Sequence, residues 1–317
     1  MDLNMRKYYL GDEFKILKLF KDVFYKEMQL EYWKWRYKKS KQMYINLMWD
    51  DEKLVGHYAL FPIDVILNGK ITRTGFSMTT MTLKEYSGLG IFSTLAKNLY
   101  LDSFNDLNII WGFPNNNSLH GFVKNLNWVH ICDINMLVKD ISSEDRDAQY
   151  DNKYINEIKR FSSEYNDLNL KVASKYNFIV NRNEDYLNWR FVQNPVNRYH
   201  ILEYRRENIL KGYCVYKLYK DKESYFIDIV DILVIDKYIF KELIFEVILK
   251  AKERQIRYVN TWMEDKELRN ILYDIGFIDS GNITHFGMCK NNEMKFLKNI
   301  NGDLRKYYLT MSDSDVF

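Results

Sequence analysis

The sequence writes one order of elements twice, and few folds are open to a chain of 317 residues that repeats itself in this way. The first copy holds Tyr32-Trp33-Lys34-Trp35-Arg36-Tyr37, an apolar run from Tyr44 to Trp49, a charged turn, and Leu54-Val55-Gly56-His57-Tyr58-Ala59-Leu60. The second holds Tyr186-Leu187-Asn188-Trp189-Arg190-Phe191, then His200 to Tyr204, a charged turn, and Ile209-Leu210-Lys211-Gly212-Tyr213-Cys214-Val215-Tyr216. Both continue in step. Phe76 to Leu83 and Phe226 to Val234 read as strands. Each is followed by a helix with one apolar face, through Ile91, Leu95, Ala96 and Leu99 in the first copy and Ile239, Leu243 and Val247 in the second. A further strand comes next, over Leu107 to Trp111 and over Ile256 to Trp262, and then a helix ending at Asn127-Trp128 or Gly276-Phe277. Such alternation calls for an α/β fold with a mixed sheet. Asp140 to Gln149 is polar, without apolar period, and reads as a linker. The expected organisation is a domain over 1–140, a linker over 141–152 and a second domain over 153–317.

The copies part at one turn. In the first, the strand runs into Lys84-Glu85-Tyr86-Ser87-Gly88-Leu89-Gly90 and directly into a helix. Two glycines there let main-chain N–H groups crowd around an anion, and the helix N-terminus adds partial positive charge. The spacing excludes two other phosphate-binding loops. A dinucleotide fingerprint wants glycine at position 93, which is Ser93, and no Gly-Lys-Ser/Thr is present. The second copy has Ile235-Asp236-Lys237-Tyr238-Ile239, with no glycine and a carboxylate that repels a diphosphate. One anion site is expected, in the first half, with the second half as scaffold.

The ordered string of strand, Gly-x-Gly loop, helix, strand, Gly112-Phe113-Pro114-Asn115-Asn116-Asn117-Ser118 and helix resembles the acyl-CoA-binding core of the GCN5-related N-acetyltransferases (GNAT superfamily). With the repeat, the chain resembles a tandem-domain member whose second domain is degenerate. The resemblance implies acetyl-CoA as co-substrate, no metal, and direct attack of an amine on the thioester. It implies a cofactor-binding set of Met81, Thr82 and Leu83 on the strand, Ser87, Gly88, Leu89, Gly90 and Ile91 at the loop, and Asn115, Asn116 and Ser118 along the pantetheine arm. The strand backbone near Met81 to Leu83 would also donate an N–H to the tetrahedral intermediate.

Two positions depart from the family's pattern. Glu85 stands where the family has Gln or Arg, which weakens the diphosphate contact. Phe122 stands where a Tyr commonly gives a proton to the leaving thiolate. His120, on the same helix, is the substitute acid, and Glu31, His57, Asp313 and Asp315 are the candidates for the base that takes the amine's proton. The cluster Trp33-Trp35-Arg36 either forms an acceptor pocket or packs a helix end into the core, and its recurrence at Trp189-Arg190 favours packing. Tyr273 matches the family's Tyr but lies in the half without a loop, so it reads as structural.

Composition narrows the remaining classes. A net charge of +3 from nearly balanced signs advertises neither nucleic acid nor an anionic membrane. Three scattered cysteines, Cys132, Cys214 and Cys289, have no ligand or disulfide spacing, and the start of the sequence lacks the apolar run of a signal peptide, so the cytoplasm is the expected setting. Tyr225 to Leu249 is too interrupted by charge to span a membrane. The acceptor is expected to be a small-molecule amine, such as an amino-sugar nucleotide. Two other readings stay open: a Fem-like aminoacyl transferase, which also has tandem domains, and a non-catalytic acyl-CoA-binding protein.

Overall fold

A computed structural model of the chain describes residues 2–40, 42–141, 152–221, 224–289 and 307–315. Most of the expected linker, 142–151, lies outside the described residues. The described residues divide between two compact units. One lies within Met1–Asp64, Thr72–Cys132 and His285–Gly302, and the other within Val65–Ile71, Asp133–Thr284 and Asp303–Phe317. The mixed α/β class expected from the alternation is what the chain forms.

In the first unit the elements are β1 (Leu3–Lys7), α1 (Glu13–Phe24), α2 (Leu30–Tyr37), β2 (Tyr44–Asp50), β3 (Lys53–Leu67) as far as Asp64, β4 (Lys70–Thr82) from Thr72, α3 (Ile91–Ser103), β5 (Ile110–Gly112), α4 (Leu119–Asn125) and the start of β6 (Trp128–Asp140). β1, β2 and β3 pair antiparallel. β4 and β5 are parallel but pair only at Gly75↔Ile110 and Phe76↔Trp111. On its other side β5 pairs antiparallel with Gly287, Met288 and Cys289, from far down the chain. The apolar face expected of α3 is buried as Ile91, Leu95, Ala96 and Leu99. It sits close on β3, because a Cβ on Gly56 would lie 2.5 Å from the Ile91 side chain. Trp33 is fully buried between the rings of Tyr8 and Tyr37, and the Arg36 guanidinium lies over Tyr32 and Trp35. Of the two readings of this cluster, core packing is what these contacts make.

The second unit continues β6 and adds β7 (Ile155–Ile158), α5 (Glu164–Ala173), β8 (Phe178–Val180), α6 (Glu184–Leu187), β9 (Tyr199–Arg206), β10 (Ile209–Asp221), β11 (Ser224–Val234), α7 (Lys237–Glu253), β12 (Tyr258–Thr261), α8 (Lys266–Asp274), β13 (Ile278–Cys289) and β14 (Tyr307–Tyr308). β7, β9, β10 and β11 pair antiparallel in that order, and β11 pairs parallel with β12. β12 then pairs antiparallel with residues 137–140 of β6. β8 takes β14 as a parallel neighbour.

That last pairing is fixed by a buried charge cluster. Arg182 donates from Nε to both oxygens of Asp231 at 3.1 and 3.2 Å, and from one terminal nitrogen to both oxygens of Asp313 at 2.9 Å. All three side chains are sealed from solvent. Burial pushes the Asp313 carboxyl up, and the Arg182 cation opposes it. Asp313 also accepts the Thr310 N–H, so this tail carboxylate is committed to the core. No helix among the described residues is long and apolar enough to cross a membrane.

Candidate functional site

The loop between β4 and α3 presents an open main-chain cradle. Gly88 and Gly90 have φ of 83° and 75°, a conformation that side chains with a Cβ rarely adopt. A Cβ on Gly88 would meet nothing within 4 Å, and one on Gly90 would meet only the Ser93 hydroxyl at 3.9 Å. The Tyr86 and Ser87 N–H groups close a short turn onto the carbonyls of Leu83 and Lys84. No side chain caps α3, and among the described residues no partner takes the N–H groups of Gly88, Leu89 or Gly90. The first-turn N–H groups of Ile91, Phe92 and Ser93 are unpaired by helix geometry. Converging donors at the positive end of a thirteen-residue helix suit an anion, at about 0.3–1 kcal/mol for a screened charge.

Glu85 is a weaker obstacle than its charge suggests. Lys53, on β3, places its ammonium 2.9 Å from the Glu85 carboxylate, and this pairing lowers the Glu85 pKa. No local pattern signals this pairing, because the partners are 32 positions apart. The matching turn of the second unit is closed from within. The Asp236 carboxylate accepts the Ile239 N–H at 3.0 Å, occupying the start of α7 where an anion would sit.

Beside the cradle, β4 is kinked. Thr79 has φ of 51° in mid-strand, a strained conformation for a β-branched residue. Its carbonyl accepts the Nδ1–H of His57 at 2.7 Å. A carbonyl cannot donate, so Nδ1 carries the proton and Nε2 is a bare acceptor, buried and without a hydrogen-bond partner among the described residues. Burial lowers the His57 pKa to about 4, so the ring is neutral at physiological pH. Pairing of β4 with β5 ends at Phe76, three residues before the kink. The Leu83 N–H is bonded to the Val55 carbonyl and is not available to a ligand.

A buried hydroxyl chain stiffens the same stretch. Trp128 Nε1–H donates to the Tyr100 hydroxyl at 3.0 Å, which lies 2.6 Å from the Tyr58 hydroxyl, itself 2.7 Å from Ser77 Oγ on β4. Burial pushes both tyrosine pKa values up, which keeps the chain protonated. Phe122 packs against Phe92, Trp128 and Tyr58. Nothing in the spacing of Tyr58, Ser77, Tyr100 and Trp128 announces this network.

The other predicted residues fall as follows. Asn115 Oδ1 accepts the N–H groups of Asn117 and Ser118, and the Ser118 hydroxyl accepts the Asn115 N–H, so both side chains hold the turn before α4. Asn116 Oδ1 accepts from His285 at 2.6 Å. Met81 and Leu83 are buried, Thr82 is half-buried, and Ser87 and Leu89 are exposed. His120 is exposed in the first turn of α4, and Glu31 is exposed in the first turn of α2. No hydrogen bond or ion pair among the described residues joins His57, His120 and Glu31 to one another.

Residues 4–129 match the model of the acetyltransferase (GNAT) domain. No curated protein matches the chain in sequence. Among solved structures, the chain is similar to a conserved protein of unknown function from Enterococcus faecalis V583 named "Probable N-Acyltransferase", at 14% identity and a TM-score of 0.72, covering 90% of this chain and 71% of that one. It is similar to a GCN5-related N-acetyltransferase from Anabaena variabilis at 12% identity and a TM-score of 0.70, covering 90% and 72%. The Saccharomyces cerevisiae N-myristoyltransferase with bound myristoyl-CoA follows at 9% identity and a TM-score of 0.66, covering 90% and 82%. The chain has the fold of the GNAT N-acyltransferases, and its residues 4–129 carry the match to that superfamily's acetyltransferase domain.

Proposed function

We propose that this chain is an acyl-CoA-dependent N-acyltransferase built from two GNAT-type domains in tandem, with its acyl-CoA site in the first half. The observation that carries the reading is the row of unpaired N–H groups at Gly88, Leu89 and Gly90 at the start of α3, where the second half has Asp236 as an internal cap. The match of the GNAT domain model to residues 4–129 supports the same half. Acetyl-CoA is the proposed donor. The myristoyl-CoA held by the yeast enzyme of the same fold makes acyl length a property to be measured.

Acyl-CoA supplies an activated thioester. A neutral amine attacks its carbonyl carbon, the new C–N bond forms, and the C–S bond breaks. The amine's proton goes to a base, for which exposed Glu31 is proposed, and the departing thiolate is protonated by His120. His57 is a positioning residue, because the Nε2 lone pair that a base would use is buried and its Nδ1–H is committed to Thr79. The proposed acceptor is a small-molecule amine in the cytoplasm, such as an amino-sugar nucleotide.

Calorimetry with acetyl-CoA and myristoyl-CoA tests the reading. At least one should bind, and binding should be lost in Gly90→Asp. Absence of heat and of any thermal shift at millimolar concentrations of both would sink it. The aromatic packing of Phe122, which has no hydroxyl, favours a second reading as a non-catalytic acyl-CoA-binding protein. Binding without release of free CoA across a broad amine panel would decide for that reading.

A further inference from the structure

The second unit contains a cavity of about 230 Å³ among α5, α6 and the segment after β8. It is walled by side chains whose hydrogen-bonding roles are fixed. Asn166 Oδ1 accepts the Glu184 N–H at 2.8 Å, Asn183 Oδ1 accepts the Tyr186 N–H at 2.8 Å, and Asn169 Oδ1 accepts the Arg182 N–H at 3.0 Å. A main-chain N–H only donates, so these three amides cannot be flipped. Asn169 Nδ2 then donates to Asn181 Oδ1 at 2.7 Å, which fixes the fourth.

With these oxygens occupied, the Nδ2 groups of Asn166, Asn181 and Asn183 have no hydrogen-bond partner among the described residues. Asn181 is the telling one. The residue is only 5% exposed and lines the cavity, and its NH₂ keeps access to solvent. A donor so placed is open to solvent and equally to a ligand acceptor that takes the solvent's place.

We propose that this cavity binds a pyranose ring through adjacent hydroxyl groups. Glu184 and Asp185 are among its lining residues, and no lysine or arginine is, which argues against phosphate and other anions. A bare ammonium would satisfy the carboxylates and leave Asn181 unpaired. A hydroxyl satisfies both kinds of group, because it accepts from an amide and donates to a carboxylate. Ile71 and Leu170 add an apolar wall for the C–H face of a sugar. The volume lies below the roughly 300–1,000 Å³ typical of sites for drug-sized ligands, which suits one ring. This inference does not rest on acyl transfer.

Saturation-transfer NMR on the full chain, with methyl glucoside, galactoside and mannoside and with N-acetylglucosamine, tests it. Inorganic phosphate and methylammonium serve as counter-probes. At least one pyranoside should bind saturably, about tenfold more weakly in Asn181→Asp and several-fold more weakly in the rim double variant Glu184→Gln/Asp185→Asn. The proposal is overturned if no pyranoside of the panel binds, if pyranoside binding is unchanged in these variants, or if phosphate or methylammonium is the probe whose binding they abolish. Should Asn181→Asp fail to fold, the rim variant decides alone.

Discussion

The imidazole of His57 donates its Nδ1–H to the main-chain carbonyl of Thr79 across 2.7 Å, joining β3 to the one residue of β4 with a left-handed backbone. The contact holds a strained conformation in place beside the glycine cradle. Replacing His57 by Ala leaves that carbonyl unpaired and opens a cavity, at an expected cost of about 2–4 kcal/mol. Thr79→Gly should instead be neutral or stabilising by about 1 kcal/mol, since only glycine adopts this conformation without penalty. Urea denaturation of both variants checks the pair. A destabilised Thr79→Gly variant would show that the Thr79 side chain, not the His57 contact, holds the kink.

A carboxylate at position 90 would set a like charge against an incoming diphosphate, as Asp236 does at the start of α7. Gly90→Asp is expected to cost about 1–2 kcal/mol of stability, because position 90 is left-handed, a conformation Asp visits more readily than most residues. Acyl-CoA affinity should fall at least tenfold. Calorimetry alongside thermal melting separates the two effects.

Arg182 holds two buried carboxylates, so Arg182→Ala should be among the most damaging changes in the second unit. Removing one side of a buried ion pair typically costs about 3–5 kcal/mol. The variant should lose protection of the amides in β8 and β14 in hydrogen exchange. Retained protection at Tyr307 and Tyr308 would refute this account of how the segment is held.

Two buried groups tilt stability with pH in opposite directions. Burial raises the Glu264 carboxyl from its ordinary 4.5 to about 7, against the opposing charge of Arg269. The folded chain therefore keeps a proton that the unfolded chain loses, and stability falls as pH rises from about 4.5 to 7. Glu264→Gln should flatten that decline by about 2 kcal/mol. His57 acts the other way: its pKa drops from 6.5 to about 4, so stability present above pH 6.5 is lost as pH falls toward 4. Denaturation midpoints at pH 4.5, 6 and 8 for wild type and Glu264→Gln test the sign.

The sequence by itself determined the order of the strands and helices in the repeated string, the buried face of α3 and the glycine loop ahead of it. These are local properties, set by side-chain period and by backbone freedom at Gly88 and Gly90, and they can be read within a few residues. Tertiary structure alone decided what the polar residues do. His57 reaches a carbonyl 22 positions away, Lys53 a carboxylate 32 away, and Arg182 an aspartate 131 away. Asp313, a candidate base in the sequence, became half of a buried ion pair, while Lys53, unremarked there, offsets Glu85. A side chain's partner, charge state and access to solvent depend on which distant segments close around it, and periodicity does not encode that closure.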